Sequence, residues 1–372
     1  KIFACDVILG KNKEHAKLKE KESCSIYNIN GVEFVWVRAA TYERNNWRRA
    51  WNMLTFSYNC YKIGSKFKDK PEVIIGSSPH PFAAFAAGRL ARKLKAKFFL
   101  EIRDLWPQVI VDMGKLNQHH PITQAMRLLE KYLYRAADKI IVLAEGSKNY
   151  LIGKSGIKES KILYLPNGVH LNNFSYKEDR DILRKLYNFT KFTLIYTGAH
   201  GPANSLDIIL KAADRLRENK DIEIVLVGDG ILKERLLKQA KEMKLNNVRF
   251  FDPVPKDKIP GILTAADVAI ITLKKVKVFS YGVSPNKLFD YMAARKPIIC
   301  AIEGDMAEKI DKIRCGISIT AEDEKSMADA ITHLVNLPQN ELKNMGNNGY
   351  KEIEENYSRE KLAQKLIDLI EQ

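Results

Sequence analysis

Residues 281–297 read YGVSPNKLFDYMAARKP. Ser284 is a good helix N-cap, and Pro285 suits the first helical position, where a missing N–H costs nothing. Lys287 then falls in the first turn, where the partial positive charge of a helix start disfavours a cation. The same position becomes favourable once an anion arrives, because the free amides of a helix start already form an anion site. Asp290 lies three residues on, nearly beneath Lys287. One reading is an i,i+3 ion pair, worth about a few tenths of a kcal/mol. The other divides the chemistry: Lys287 takes a diphosphate, and Asp290 accepts the two vicinal hydroxyls of a ribose.

Other segments carry candidate chemistry. In YTGAHGPANSLDIIL (196–210) a strand ends at Thr197, and Gly198 and Gly201 let the backbone approach a ligand before a helix begins. His200 is either a phosphate donor or a surface histidine. The dinucleotide pattern GxGxxG is absent. LVGDG (226–230) places Gly228 at another strand end, and FFDPVPKDKIP (250–260) holds Val254 in a stiff loop that either presents backbone to a base or simply turns. EIRDLWPQ (101–108) sets Glu101, Arg103 and Asp104 at a strand's C-terminal end, where open α/β sheets bind ligands. SSPHP (77–81) puts His80 on the same rim. In residues 45–70, Trp47, Trp51, Leu54 and Tyr58 recur at helical spacing among Arg48, Arg49, Lys62, Lys66, Lys68 and Lys70. That pattern fits a membrane interface, a core helix with basic ends, or single-stranded nucleic acid. GxSxG, HExxH, P-loop and DxD patterns are missing, so nothing points to a serine enzyme, a zinc enzyme or a kinase.

These segments need a scaffold. Short β-branched runs alternate with helical patterns from EVIIGSS (72–78) to GISIT (316–320). Continuous apolar strands between helices predict parallel sheets covered on both faces. Two such series, broken at LPNGVHLNNF (165–174), predict two doubly wound domains. The tail NYSREKLAQKLIDLIEQ reads as a helix capped by Ser358, with Leu362, Leu366, Ile367 and Ile370 as its apolar stripe.

The 372 residues suffice for two sizeable cores. No apolar run reaches the ~18 residues of a membrane span. Five scattered cysteines without a CxxC pair read as free thiols. The net charge of +16 is uneven: residues 1–170 hold 29 Lys+Arg against 15 Asp+Glu, and residues 171–372 hold 32 against 30. The first half therefore faces something anionic, unless its lysines form a merely solvated surface. The chain opens at Lys1 inside the apolar run KIFACDVILG, which reads as a strand entered partway and predicts a missing start.

EIRDLWP, LPNGV, YTGAHGPANSLD, LVGDG and GVSPNKLFDYMAARKPI, in that order over essentially the whole chain, resemble glycosyltransferase family 4 (group 1). The branch they resemble is that of the WbuB-like aminosugar transferases of O-antigen, capsule and exopolysaccharide assembly. The resemblance implies an α/β fold of the GT-B type, with two Rossmann-like domains facing a cleft. The acceptor-binding domain would span residues 1–170, without the usual first strand, glycine-rich loop and helix. The donor-binding domain would span 171–355, and the helix of 356–372 would cross back onto the first domain. Three departures stand out. The first of two family glutamates is Gly282 and the second Asp290; the usual Arg and Lys after YTG are Ala199 and Asn204; an acceptor-domain histidine is Arg103. Phosphate binding then falls on Lys287, the amides of Val283, Ser284 and Asn286, and His200.

The expected activity is metal-independent, retaining sugar transfer from a nucleotide-sugar donor, UDP-linked, to a saccharide on a polyprenyl diphosphate. No cofactor is expected; Lys287 and Arg103 are the expected catalytic groups. The acceptor's lipid and the basic first half predict an anionic membrane surface as partner. The expected location is cytoplasmic, peripheral on the inner face of the membrane. No recognised nucleic-acid motif is present. A GT-B-type nucleotide-sugar 2-epimerase, a nucleic-acid-binding module and a non-catalytic interaction subunit are the alternative readings.

Overall fold

The structure is a computed structural model, and it describes residues 1–8, 13–14, 18, 22–43, 46–174 and 179–371. The chain forms two compact units. One comprises Lys1–Leu143 with Lys148–Tyr164, the other Ala144–Ser147 with Leu165–Gln372.

In the first unit, β1 (Ile2–Cys5) runs parallel to β3 (Val32–Val37), which pairs antiparallel with β2 (Cys24–Ile29). A second sheet is parallel throughout, in the order β4 (Val73–Ser77), β5 (Lys97–Ile102), β6 (Lys139–Val142) and β7 (Ile162–Tyr164). Helix α1 (Trp47–Gly64) precedes β4; α2 (Pro81–Leu94) and α3 (Pro121–Ala136) flank β5 in sequence. Asn46 caps α1 by accepting from the Arg48 amide. Strands β1 and β4, each at the edge of its sheet, both line an apolar cavity of about 900 Å³ together with α1 and α2.

The second unit holds a six-stranded parallel sheet. Its strands are β8 (Phe192–Thr197), β9 (Ile222–Val227), β10 (Val248–Phe251), β11 (Val268–Thr272), β12 (Ile298–Ala301) and β13 (Gly316–Ser318). Their spatial order is β10-β9-β8-β11-β12-β13. The chain winds outward from β8 in one direction and from β11 in the other. This is the doubly wound arrangement expected from the apolar runs, which are buried on both faces. Ile195, Val225, Ala269 and Ile298 face α6 (Ile259–Ala265) and α7 (Asn286–Ala293). Leu194, Ile224, Ile270 and Ile299 face α4 (Asp207–Arg215), α5 (Lys233–Glu242) and α8 (Glu324–Val335).

The units part between Tyr164 and Leu165, slightly before the residue-170 boundary expected from sequence. The cause is local: the LPNGV segment is hydrogen-bonded into the second unit. Asn167 donates its amide to Ser284 Oγ at 3.1 Å and its Nδ2 to the Ser284 carbonyl at 2.6 Å. The Val169 amide donates to the Tyr357 carbonyl. Helix α9 (Arg359–Glu371) follows, and Ser358 Oγ accepts from the Lys361 amide at its start.

Candidate active site

The switch point of a doubly wound sheet lies where neighbouring strands wind in opposite directions, and ligands bind beyond the strands' C-terminal ends there. In the second unit that point is the β8–β11 pair. The loops after these strands are tied together: Thr272 Oγ1 donates to the Asn204 carbonyl at 2.5 Å, and the Lys274 amide to that of Ala203 at 2.9 Å. Between β11 and α7 the chain forms only a single helical turn, Lys277–Ser280.

The start of α7 differs in detail from the expectation. Pro285, not Ser284, occupies the capping position, and among the described residues no side chain caps the helix. The Ser284 hydroxyl is unavailable because Asn167 engages it across the sequence. The amides of Asn286 and Lys287 precede the first bond, from Leu288 N to the Pro285 carbonyl, and so belong to the uncapped helix start. Lys287 does sit in the first turn. Its Nζ donates to Tyr196 Oη at 2.7 Å and to Asn204 Oδ1 at 3.0 Å, and lies 4.2 Å from the centroid of the Tyr196 ring. The Tyr196 hydroxyl in turn donates to the Ala199 carbonyl at 2.9 Å. Burial pushes the Tyr196 phenol well above its ordinary range, so it remains a neutral acceptor.

Lys287 and Asp290 form no ion pair with each other, and neither has an oppositely charged partner among the described residues. Burial pushes the Lys287 ammonium down to about 7. Burial pushes the Asp290 carboxyl up to about 6, against the pull of Lys256 and Arg359. Lys296 provides the contrast. Burial also pushes it down to about 7. Its Nζ, however, donates to the Thr264 and Ala266 carbonyls at the C-terminus of α6, where the helix dipole favours a cation. Lys287 sits at the opposite kind of helix end, with only neutral partners.

The glycine loops serve each other more than the sequence indicated. Gly198 has φ +141, and a Cβ there would come within 3.2 Å of Lys287 Cε and Nζ. A Cβ on Gly228 would lie 1.9 Å from the Gly198 carbonyl oxygen. The amides of Gly198 and His200 donate to the carbonyls of Val227 and Asp229, so they are spent on joining the two loops. Gly201 is different: a Cβ there would meet only Asn204 Nδ2, at 3.8 Å.

His200 was expected to donate to a phosphate. Its ring is instead fully buried between Tyr196 and Phe250, and among the described residues neither ring nitrogen has a hydrogen-bond partner. Burial, with Lys233 second, lowers its pKa, so the ring stays neutral. Val283 and Val254 are partly buried against the hydrophobic core. Sequence reasoning did not single out Asn167, Tyr196 or Tyr291, whose hydroxyl accepts from the Thr197 amide at 2.8 Å and holds the end of β8. Asn167 stands in the quoted LPNGV, and Tyr196 directly precedes the glycine loop.

The first unit brings its own candidates to one strand end. Glu101 of β5 pairs with Ser77 of β4, and the Arg103 amide donates to Ser78 Oγ at 3.4 Å. The Arg103 and Asp104 side chains are exposed there. His80 caps α2, with Nδ1 accepting from the Ala83 amide at 3.3 Å. Burial, reinforced by Arg49, pushes its imidazole down to about 4. His80 is therefore a neutral helix cap, and it also lines the cavity beside β1 and β4.

Residues 179–352 match the family profile described as "Glycosyl transferases group 1", and residues 19–168 match "Glycosyl transferase 4-like domain". The chain belongs to the group 1 glycosyltransferases. The transferase is 25% identical over 281 residues to the putative colanic acid biosynthesis glycosyl transferase WcaI of Escherichia coli (strain K12), across 73% of this chain and 68% of that protein. It is 29% identical over 119 residues to the N-acetylgalactosamine-N,N'-diacetylbacillosaminyl-diphospho-undecaprenol 4-alpha-N-acetylgalactosaminyltransferase of Campylobacter jejuni, across 32% of this chain and 31% of that enzyme. Its fold matches that of Anabaena Alr3699/HepE in complex with UDP with a TM-score of 0.68 at 16% identity, covering 87% of this chain and 84% of that one. The fold is GT-B.

Proposed function

We propose that the transferase moves an N-acetylated aminosugar from a UDP-linked donor, with retention, to a saccharide carried on a polyprenyl diphosphate during cell-surface polysaccharide synthesis. One observation carries the donor side of this reading. Lys287 and Asp290 are one turn apart at an uncapped helix start, both shifted by burial, and neither belongs to an ion pair among the described residues. Such a pair fits a ligand with a diphosphate at one end and a diol at the other. The UDP found on HepE and the diphospho-undecaprenol in the Campylobacter enzyme's name support the choice of donor and acceptor.

In the transfer, the bond from the sugar's anomeric carbon to the diphosphate oxygen breaks. The acceptor oxygen bonds to that carbon, and its proton passes to the departing diphosphate. Negative charge grows on the leaving group, and groups aimed at growing charge contribute most. Lys287 and the α7 amides meet that charge without a metal, and Asp290 holds the ribose. We assign Arg103 and Glu101 to the acceptor.

The test is transfer of label from a UDP-N-acetylhexosamine into a lipid-extractable product. Label in the lipid phase that disappears in Lys287→Ala supports the reading. Conversion of the nucleotide sugar to its 2-epimer without an acceptor contradicts it.

A further inference from the structure

We propose that the outer face of α1 is a docking surface for an anionic lipid bilayer. Helix α1 is apolar on two opposite sides. Met53, Phe56 and Cys60 point into the cavity shared with β1 and β4. Trp47, Trp51, Leu54 and Tyr58, at spacings of four, three and four, form a stripe on the opposite side and are 71%, 55%, 42% and 65% exposed. The core explains the inner side and leaves the outer one unexplained.

The composition of the stripe indicates its partner. Tryptophan and tyrosine concentrate where an apolar slab meets water, because each has an apolar body and a polar tip. The stripe continues into charge: Lys62 lies one turn beyond Tyr58, and Lys66, Lys68 and Lys70 follow, all four exposed. At the other end Arg48 lies 5.7 Å from the Trp47 ring centroid. Aromatics that enter the headgroup boundary, flanked by lysines facing lipid phosphates, match a negatively charged leaflet. The surplus of 29 basic over 15 acidic residues in the first 170 points the same way. No helix among the described residues is long and apolar enough to cross a membrane, so the contact proposed is with the surface.

This inference stands apart from the proposed reaction, because vesicle binding needs neither donor nor acceptor. The experiment is co-sedimentation of the full chain with phosphatidylcholine vesicles containing about a third phosphatidylglycerol, compared with pure phosphatidylcholine, at low and high salt. Two variants accompany it: Trp47→Ser with Trp51→Ser, and Lys62→Gln with Lys66→Gln and Lys68→Gln. The expected result is selective binding to the anionic vesicles, weakened at least about tenfold in the tryptophan variant. The lysine variant should bind less and depend less on salt. Both should keep the parent unfolding temperature, since the altered side chains are exposed. Quenching of tryptophan emission by brominated lipid, lost in the tryptophan variant, would place the stripe in the bilayer. Absence of vesicle binding, or equal binding by parent and variants, overturns the proposal. So does a variant-sensitive dimer, or variant-sensitive oligonucleotide binding, in place of vesicle binding.

Discussion

Lys287 Nζ lies 2.7 Å from the Tyr196 hydroxyl, and that hydroxyl donates onward to the Ala199 carbonyl. A cation at a helix start is thereby held by a neutral phenol from the end of the neighbouring strand. The phenol orients the ammonium without cancelling its charge.

Lys287→Ala is expected to lower turnover by about two orders of magnitude, the scale of losing one group aimed at developing charge. Lys287→Arg should not restore it. A guanidinium presents a planar fork where the site offers a phenol and one amide oxygen arranged for a compact ammonium. Steady-state rates of the two variants check this.

Tyr196→Phe removes an acceptor from a partly buried ammonium. The expected cost is about 1–2 kcal/mol of stability, with kcat/KM falling about tenfold. Denaturant unfolding and kinetics on the same preparation measure both.

Binding of a nucleotide sugar should depend on pH through two groups. Empty, Lys287 titrates at about 7, with His200 and the neutral Tyr196 and Asn204 around it. A bound diphosphate favours the charged form and raises that value, so above pH 7 binding takes up a proton and affinity falls by about tenfold per unit. Asp290 titrates at about 6 when empty, with Lys256 and Arg359 nearby. Holding a diol requires the carboxylate, so below that value binding releases a proton and weakens. Affinity should peak between the two. Calorimetry in buffers of different ionisation enthalpy reads the proton directly, and Lys287→Ala should abolish the uptake.

Gly228→Ala and Gly201→Ala should separate packing from ligand approach. The first places a Cβ 1.9 Å from the Gly198 carbonyl and forces the two loops apart, at an expected cost of about 3 kcal/mol or more. The second meets nothing closer than 3.8 Å and should leave stability nearly unchanged. A loss of nucleotide affinity in Gly201→Ala without loss of stability would mark that glycine as a point of ligand approach.

The parallel sheets and the position of Lys287 were legible because they follow from local periodicity and from one cation misplaced for an empty helix. What was not legible depends on contacts distant in sequence. Ser284 reads as a cap until Asn167 claims its hydroxyl from 117 positions away. Gly228 reads as a ligand-facing glycine until the Gly198 carbonyl is seen against it. His200 reads as a phosphate donor until the fold closes over its ring. The aromatic spacing of α1 fits a core helix equally well, because spacing shows that residues share a face but not whether that face meets the core or solvent.

Whether Lys287 faces the donor diphosphate is read by a calorimetric titration of UDP and a UDP-sugar, without added divalent metal, into the parent chain and Lys287→Ala. Selective binding over other nucleotides is expected, with an affinity about tenfold to a hundredfold lower in the variant, the worth of one charge-assisted contact. Equal affinity in the two proteins would show that Lys287 does not face the diphosphate, and the donor site would have to be sought elsewhere.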